Sequence, residues 1–326
     1  MHTLIDQHGR IVRDLRISVT PRCNYRCTYC DPLGAGHKEP VGVVSVQDVA
    51  NVVEAAVSLG LTSVRFTGGE PLLRKELPAM IRHAKRVAGV EDVAITTNGS
   101  LLARRLPELV EAGLDRLNVS LDALDPEAFR LITSGGRIET VWAGIEALVA
   151  AGLEPVKLNA VVIRGLNEGE VEGLAGLTRD RPFQVRFIEY MHLDNSSPEE
   201  YRGKYVSGAE TRLRVEAALG PLQPVPVDPS APARLYRVNG WRGAIGFINS
   251  VSEPFCAGCS RMRLTSDGRL RPCLMHDWEL DVRHALRAAD PVAAIREAFV
   301  LAARNKVASG IKTPVVRDRT MVAIGG

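Results

Sequence analysis

The chain has 326 residues, 45% hydrophobic and 24% charged, with a formal net charge of +3. This composition excludes a disordered chain, and the charge is too small to argue for a nucleic-acid partner. The opening stretch MHTLIDQHGR has no apolar signal core and no run approaches the ~20 residues of a membrane span, so the expectation is a cytoplasmic protein without a membrane partner.

From residue 15 to about 190, strand-like and helix-like stretches alternate. LRISV (15–19), SVRF (63–66), DVAITT (92–97), RLNVSL (116–121), VKLNAVVI (156–163) and QVRFIEY (184–190) read as strands. Helical stretches lie between them, several ending at a glycine: Gly60, Gly89, Gly113 and Gly152. Strands joined by helical crossovers make a parallel sheet, and six such units predict an open α/β structure, a partial (β/α)6 TIM-like barrel over residues 1–220. Residues 221–233, PLQPVPVDPSAPA, carry five prolines and read as the lead-in to a smaller C-terminal α+β domain over 221–326. There Asn239-Gly240 predicts a hairpin with a type I′ turn, and Asp267-Gly268 another tight turn.

Buried parallel strands are normally apolar on both faces. Here one face of each strand is polar: Arg16, Ser18 and Thr20; Arg65 and Thr67; Thr96 and Asn98; Asn118, Ser120 and Asp122; Lys157 and Asn159. Period-2 geometry puts each set on one side. Buried charge is costly without a partner, so the polar face predicts a lumen that holds a charged ligand.

All six cysteines fall in two odd sets, Cys23-x3-Cys27-x2-Cys30 and Cys256-x2-Cys259-x13-Cys273, which argues against disulfides in a reducing compartment. Three thiolates are one short of a closed zinc site. A four-iron cluster held by three cysteines leaves one iron open to a small chelating molecule. For the second set, a zinc knuckle completed by His276 is the alternative. Against it stand Arg261 and Arg263, which suit an anionic ligand brought to the metal.

The Cys-x3-Cys-x2-Cys loop after the first strand, with Tyr29 before its last cysteine and TGGEP (67–71) after the second strand, resembles the radical S-adenosylmethionine superfamily. Over nearly the whole length, through GRIVRDLRISVTPRCNYRCTYC, RFTGGEPLLR, RLNVSLDA, VKLNAVVIRGLN, FCAGCSRMRLTSDGRLRPCL and the final Gly-Gly, the chain resembles the molybdenum cofactor biosynthesis protein A family of GTP 3′,8-cyclases. The resemblance implies two 4Fe–4S clusters facing one cavity. Cys23, Cys27 and Cys30 would hold the first, and Cys256, Cys259 and Cys273 the second. It implies S-adenosylmethionine lined by Tyr29, Gly69, Ser120 and Met191, and GTP held by Arg16, Arg65, Thr96, Lys157, Arg261 and Arg263. Catalytic roles would fall to the first cysteine set, Arg16, Arg261, Arg263 and the Gly325-Gly326 tail.

The implied reaction removes hydrogen from the ribose C3′ of GTP and joins C3′ to guanine C8, giving (8S)-3′,8-cyclo-7,8-dihydroguanosine 5′-triphosphate for molybdopterin synthesis. The implied partners are an electron donor of flavodoxin or ferredoxin type, a second copy in a homodimer, and the downstream cyclic pyranopterin monophosphate synthase by product hand-off. Asp31 stands where the family commonly has Met, and residues 319–324, RTMVAI, lack an aromatic often found there. Two rivals are a peptide-modifying radical enzyme, which would carry more C-terminal cysteines, and a zinc-stapled binding module, which has no use for a polar lumen.

Overall fold

Alternating side chains settle which way each strand faces. Leu15 and Ile17, Val64 and Phe66, Val93 and Ile95, Leu117 and Val119, and Leu158 and Ala160 are buried, and they turn to the helices. The computed structural model describes residues 3–32, 34, 42–194, 196–310 and 319–326.

Six strands, β1 (Asp14–Ser18), β2 (Ser63–Thr67), β3 (Asp92–Thr97), β4 (Arg116–Ser120), β5 (Lys157–Val162) and β6 (Gln184–Glu189), pair in sequence order and in parallel. The crossovers are α1 (Val46–Ser58), α2 (Leu77–Arg86), α3 (Leu102–Glu111), α4 (Pro126–Thr133) with α5 (Ile138–Ala150), and α6 (Val171–Gly176). Helix α1 starts on a reciprocal cap: the Ser45 hydroxyl accepts from the Asp48 N–H, and the Asp48 carboxylate accepts from the Ser45 N–H. The partial (β/α)6 barrel expected from the sequence is present.

Beyond it come α7 (Pro198–Lys204), α8 (Gly208–Leu219), β7 (Leu222–Val225), β8 (Arg234–Val238), β9 (Ala244–Ile248), β10 (Arg261–Leu264), β11 (Arg269–Arg271), β12 (Leu280–Asp281), α9 (Pro291–Arg304) and α10 (Met321–Ile324). All twelve strands share one sheet, in the order β12-β11-β10-β1-β2-β3-β4-β5-β6-β9-β8-β7. Strand β10 lies parallel to β1, and β9 parallel to β6. The C-terminal part thus lengthens the parallel arc to eight strands, one from each end. Each end runs on into antiparallel strands, so the described strands stay open. No helix is long and apolar enough to cross a membrane among the described residues.

The β8–β9 hairpin forms, but its turn is not type I′. Trp241 N–H closes on the Val238 carbonyl at 3.1 Å, and only Gly240 has positive φ, at 78°. A type I′ turn needs positive φ at both central residues, while type II needs it at the second alone. The Asp267-Gly268 turn is as expected, with Gly268 at φ 78° donating to Thr265 O at 3.1 Å.

Candidate functional site

The loop after β1 carries Cys23, Cys27 and Cys30, all free thiols. It folds on itself through Cys30 N–H and Asp31 N–H, both donated to the Cys27 carbonyl, at 3.0 and 2.9 Å. Cys23 Sγ accepts from Tyr25 N–H at 3.4 Å and faces Asn98 Nδ2 at 3.9 Å. Burial pushes Cys23 up to about 11 and raises Cys27 and Cys30 as well, each reinforced by neighbouring negative charge. Such a set takes the thiolate form only with a strong cation among the sulfurs.

The loop after β2 lies against this one. Gly69 N–H donates to Thr20 O at 2.8 Å, and Glu70 N–H to Arg22 O at 2.7 Å. A side chain at 69 would overlap the Arg22 carbonyl, so only glycine permits this approach. Glu70 is buried and accepts from Leu72 N–H, Thr97 Oγ1 and Asn98 N–H at 2.9, 2.8 and 2.7 Å. Burial pushes its carboxyl up to about 7. Tyr29 donates its phenol to Asp122 at 2.8 Å, and burial raises Asp122 to about 6.

The second set has a different electrostatic setting. Cys256 lies in a short helical turn, Phe255–Gly258, Cys259 caps its end, and Cys273 follows β11. Burial raises Cys273 and opposes ionisation of Cys259 too. At Cys259, however, the charges of Arg261, Lys306 and Arg10 outweigh burial and pull the thiol down to about 7. Ser309 donates its hydroxyl to Cys256 Sγ at 3.4 Å. Gly310 is pressed on Cys273, where an added Cβ would sit 2.5 Å from Sγ.

Both sets line one cavity of about 1840 Å³ of empty space, part of it open to solvent. Arg16, Tyr29, Arg65, Gly69, Thr96, Ser120, Met191, Arg261, Arg263 and Gly326 line it too, as the sequence led us to expect. Lys157 is the exception. It is not among the residues that line this cavity, and its charged neighbours are Arg116, Arg186, Arg65 and Asp92. On β5 the wall position belongs to Asn159, two residues on and on the same strand face.

The pairing register aligns Arg16 with Arg65 on one side and with Arg263 on the other. Three arginines abreast repel one another. Burial first, then Arg263, Arg65 and Arg261, push Arg16 well below the usual arginine range; burial with Arg116 and Arg261 brings Arg65 to about 10, and burial with Arg261 and Arg271 brings Arg263 to about 10. Arg186 belongs with them, though the sequence reading did not assign it. It is buried on the cavity wall, Nη2 donates to Asn118 Oδ1 at 2.8 Å, and Nε has no partner among the described residues. Its period-2 place in QVRFIEY was the available clue. A group of buried cations facing a cavity calls for an anion of several charges.

The Gly325-Gly326 tail enters this cavity. Arg263 Nη1 donates to Gly325 O at 2.8 Å, and Thr67 Oγ1 to Gly326 O at 2.7 Å. Of the two, Gly326 lines the cavity, while Gly325 is held at φ 79° close against Ser18.

The donor sets fit polynuclear iron–sulfur clusters better than zinc. Each set offers three free thiols on one shared cavity, one ligand short of a closed zinc site and suited to a cluster with one open iron. His276 Nδ1 accepts from Trp278 N–H at 3.2 Å.

Comparison with known proteins agrees with this arrangement. Residues 17–178 match the family model of the radical SAM superfamily, and 183–310 that of Molybdenum Cofactor Synthesis C. A GTP 3′,8-cyclase of Pelotomaculum thermopropionicum is 45% identical over 302 residues, covering 91% of this chain and 93% of that protein. One of Moorella thermoacetica is 39% identical, covering 98% and 99%. Among solved structures, Streptococcus suis SuiB bound to S-adenosylmethionine aligns with a TM-score of 0.57 at 13% identity, over 97% of this chain and 77% of that one. Native anSMEcpe with bound AdoMet aligns at 0.54 and 17%, over 86% and 82%. At such identities these two speak for the fold alone.

Proposed function

The chain belongs to the radical S-adenosylmethionine superfamily and, within it, to the family of GTP 3′,8-cyclases, and from that membership we propose that it converts GTP to (8S)-3′,8-cyclo-7,8-dihydroguanosine 5′-triphosphate, the first step toward molybdopterin. The observation that carries the reading is the pair of three-cysteine sets lining one cavity, with a row of arginines on its wall.

Cys23, Cys27 and Cys30 hold one 4Fe–4S cluster, and Cys256, Cys259 and Cys273 the other. Bound there, the first cluster and S-adenosylmethionine supply one-electron chemistry at the ribose C3′–H bond. The protein supplies position and charge. Tyr29, Gly69, Ser120 and Met191 line S-adenosylmethionine, with Gly69 giving the bare backbone a cofactor can approach. Arg16, Arg65, Thr96, Arg261 and Arg263 hold GTP, with Lys157 adding charge beside Arg65 and Arg186. Arginine forks suit phosphate oxygens, and the triphosphate removes the mutual repulsion of the row. Gly325 and Gly326 fix Arg263 and Thr67 through backbone oxygens. The enclosing wall keeps water and stray hydrogen donors from the reacting carbon.

The same reading assigns residues 1–220 to the barrel and 221–326 to a domain that carries the second cluster. It places the protein in the cytoplasm, with a flavodoxin- or ferredoxin-type donor, a homodimeric state and hand-off to a cyclic pyranopterin monophosphate synthase.

The test is anaerobic incubation with S-adenosylmethionine and GTP deuterated at C3′. Loss of one hydrogen atom and return of one electron and one proton conserve composition, so the product has the mass of GTP apart from label and separates from it chromatographically. Deuterium is expected in 5′-deoxyadenosine. Unaltered nucleotide, or 5′-deoxyadenosine free of label, overturns the reading.

A further inference from the structure

The turn from Asp6 to Arg10 lies at the N-terminal hairpin, where Ile5 bridges to Ile11, remote in sequence from the second cysteine set. Its backbone closes through Gly9 N–H to Asp6 O and Asp6 N–H to Arg10 O, both at 3.0 Å, with Gly9 at φ 76°. The Asp6 carboxylate accepts from His8 N–H, Arg10 N–H and Arg10 Nε at 2.8, 3.1 and 2.6 Å. Both side chains are buried, Asp6 at 0% and Arg10 at 6% exposure.

What Arg10 does with its remaining donors is unusual. Nη1 donates to the carbonyls of Cys256 and Ala308 at 2.8 and 2.9 Å, and Nη2 to that of Val307 at 2.7 Å. One guanidinium thus ties the loop of the second cysteine set to the segment 307–308. That segment leads directly to Ser309, which donates to Cys256 Sγ, and to Gly310, which abuts Cys273. Gln7 adds a bond to Lys306 O at 3.0 Å, and the buried Lys306 ammonium donates to Arg261 O. Three carbonyl dipoles beside the second cysteine set are thus turned onto one cation, that of Cys256 in addition to the Cys259 N–H it accepts at 3.2 Å.

We propose that the 6–10 turn is a clasp that positions the second cysteine set, with Arg10 as the positioning residue and Asp6 orienting it. The inference rests on the reading above only in taking Cys256, Cys259 and Cys273 as ligands. Lysine cannot replace Arg10 fully, because a point ammonium cannot pair with Asp6 and reach three carbonyls in two segments at once.

The test uses the full chain with Arg10→Gln, Arg10→Lys and Asp6→Asn. In metal-free, reduced protein, alkylation is followed at each cysteine by peptide mass mapping. Cys256 and Cys273 are expected to label about tenfold faster in Arg10→Gln as the loop opens locally; Cys259 is left out of the contrast, because the Arg10 charge also helps to ionise its thiol. Arg10→Lys and Asp6→Asn should fall between, and Cys23, Cys27 and Cys30 should keep the wild-type rate. After anaerobic reconstitution, iron should drop from about eight per chain toward four, with the first cluster retained. Unchanged labelling of Cys256 and Cys273 overturns the clasp, and so does equal acceleration of the first set. If Arg10→Gln does not fold, the two milder variants decide by the same contrast. If wild type takes up no iron, the functional reading fails while the labelling contrast still judges the clasp.

Discussion

Arg263 and Gly325 are joined by one hydrogen bond, from Nη1 to the glycine carbonyl at 2.8 Å. A buried arginine from the strand beside the second cysteine set is thereby held by backbone from the far end of the chain. Gly325 adopts φ 79°, and an added Cβ would lie 2.8 Å from Ser18 Cβ and 3.1 Å from Thr67 Cγ2. Position 325 therefore requires glycine on two counts, conformation and space.

Gly325→Ala is expected to displace the tail and free Arg263. Because the tail is peripheral to the hydrophobic core, the melting temperature should hold. Turnover, read as deuterium transferred from C3′, should drop by about tenfold or more, the scale of one misplaced charge-assisted contact. Full turnover with wild-type melting would show that the tail contact is incidental.

Arg186 makes a prediction with two opposed signs. Its charge is buried, its near neighbours Arg65 and Arg116 are cations, and burial with their repulsion brings it to about 9. Arg186→Met removes an unpaired buried charge, so the ligand-free protein should melt higher. The same change removes a donor from the anion site, so GTP should bind about ten- to a hundredfold more weakly, in line with ~1.5–3 kcal/mol for a charged hydrogen bond. Thermal melts and anaerobic equilibrium dialysis together check it. Lower stability with unchanged affinity would make Arg186 a structural residue.

Much of this site could be read from the order of residues. Period-2 alternation put Arg16, Arg65, Thr96 and Ser120 on one strand face, and the structure lines the cavity with all four. What escaped depends on pairings between distant segments. Nothing local in RMRL or AIGFI tells that β10 and β9 cap opposite ends of the parallel arc. Yet the first of these pairings sets Arg263 beside Arg16. Arg10 escaped for the same reason, since its partners are 246 to 298 residues away. Lys157 shows the limit of a face assignment: two residues along one face of β5 separate Asn159, which lines the cavity, from Lys157, which does not.

Lys157 also predicts a pH dependence. Burial, then Arg116, Arg186 and Arg65, lower its ammonium from 10.5 to about 8. The cation is present below about 8 and lost above it, so GTP affinity should fall as pH rises from 7 to 9. In Lys157→Met affinity should be weaker at pH 7 and lack this component. Folding responds with the opposite sign. The native state releases this proton before the unfolded chain does, so the group adds stability as pH rises from about 8 toward 10.5. Binding isotherms at pH 7, 8 and 9 on both proteins decide it, and parallel curves would remove Lys157 from the anion site.

Arg319 fixes where the tail begins. Nη1 donates to both oxygens of Glu279 at 3.1 and 3.0 Å, and Nη2 to Asp267 at 3.0 Å. Glu279 is itself paired with the buried Arg271, so the acceptor is held rigidly. A bidentate contact to a fixed carboxylate is worth more than an ordinary surface pair. Arg319→Ala should loosen residues 320–326 without unfolding the barrel. Amide exchange at Ala323 and Gly325, whose N–H groups close on Thr320 O and Met321 O, should quicken while exchange in β1–β6 is unchanged. Turnover should fall in step with that exchange, and Arg319→Lys should recover part of both. If exchange quickens and turnover holds, the tail reaches Arg263 without its anchor, and the order contributed by the ion pairs is not needed for chemistry.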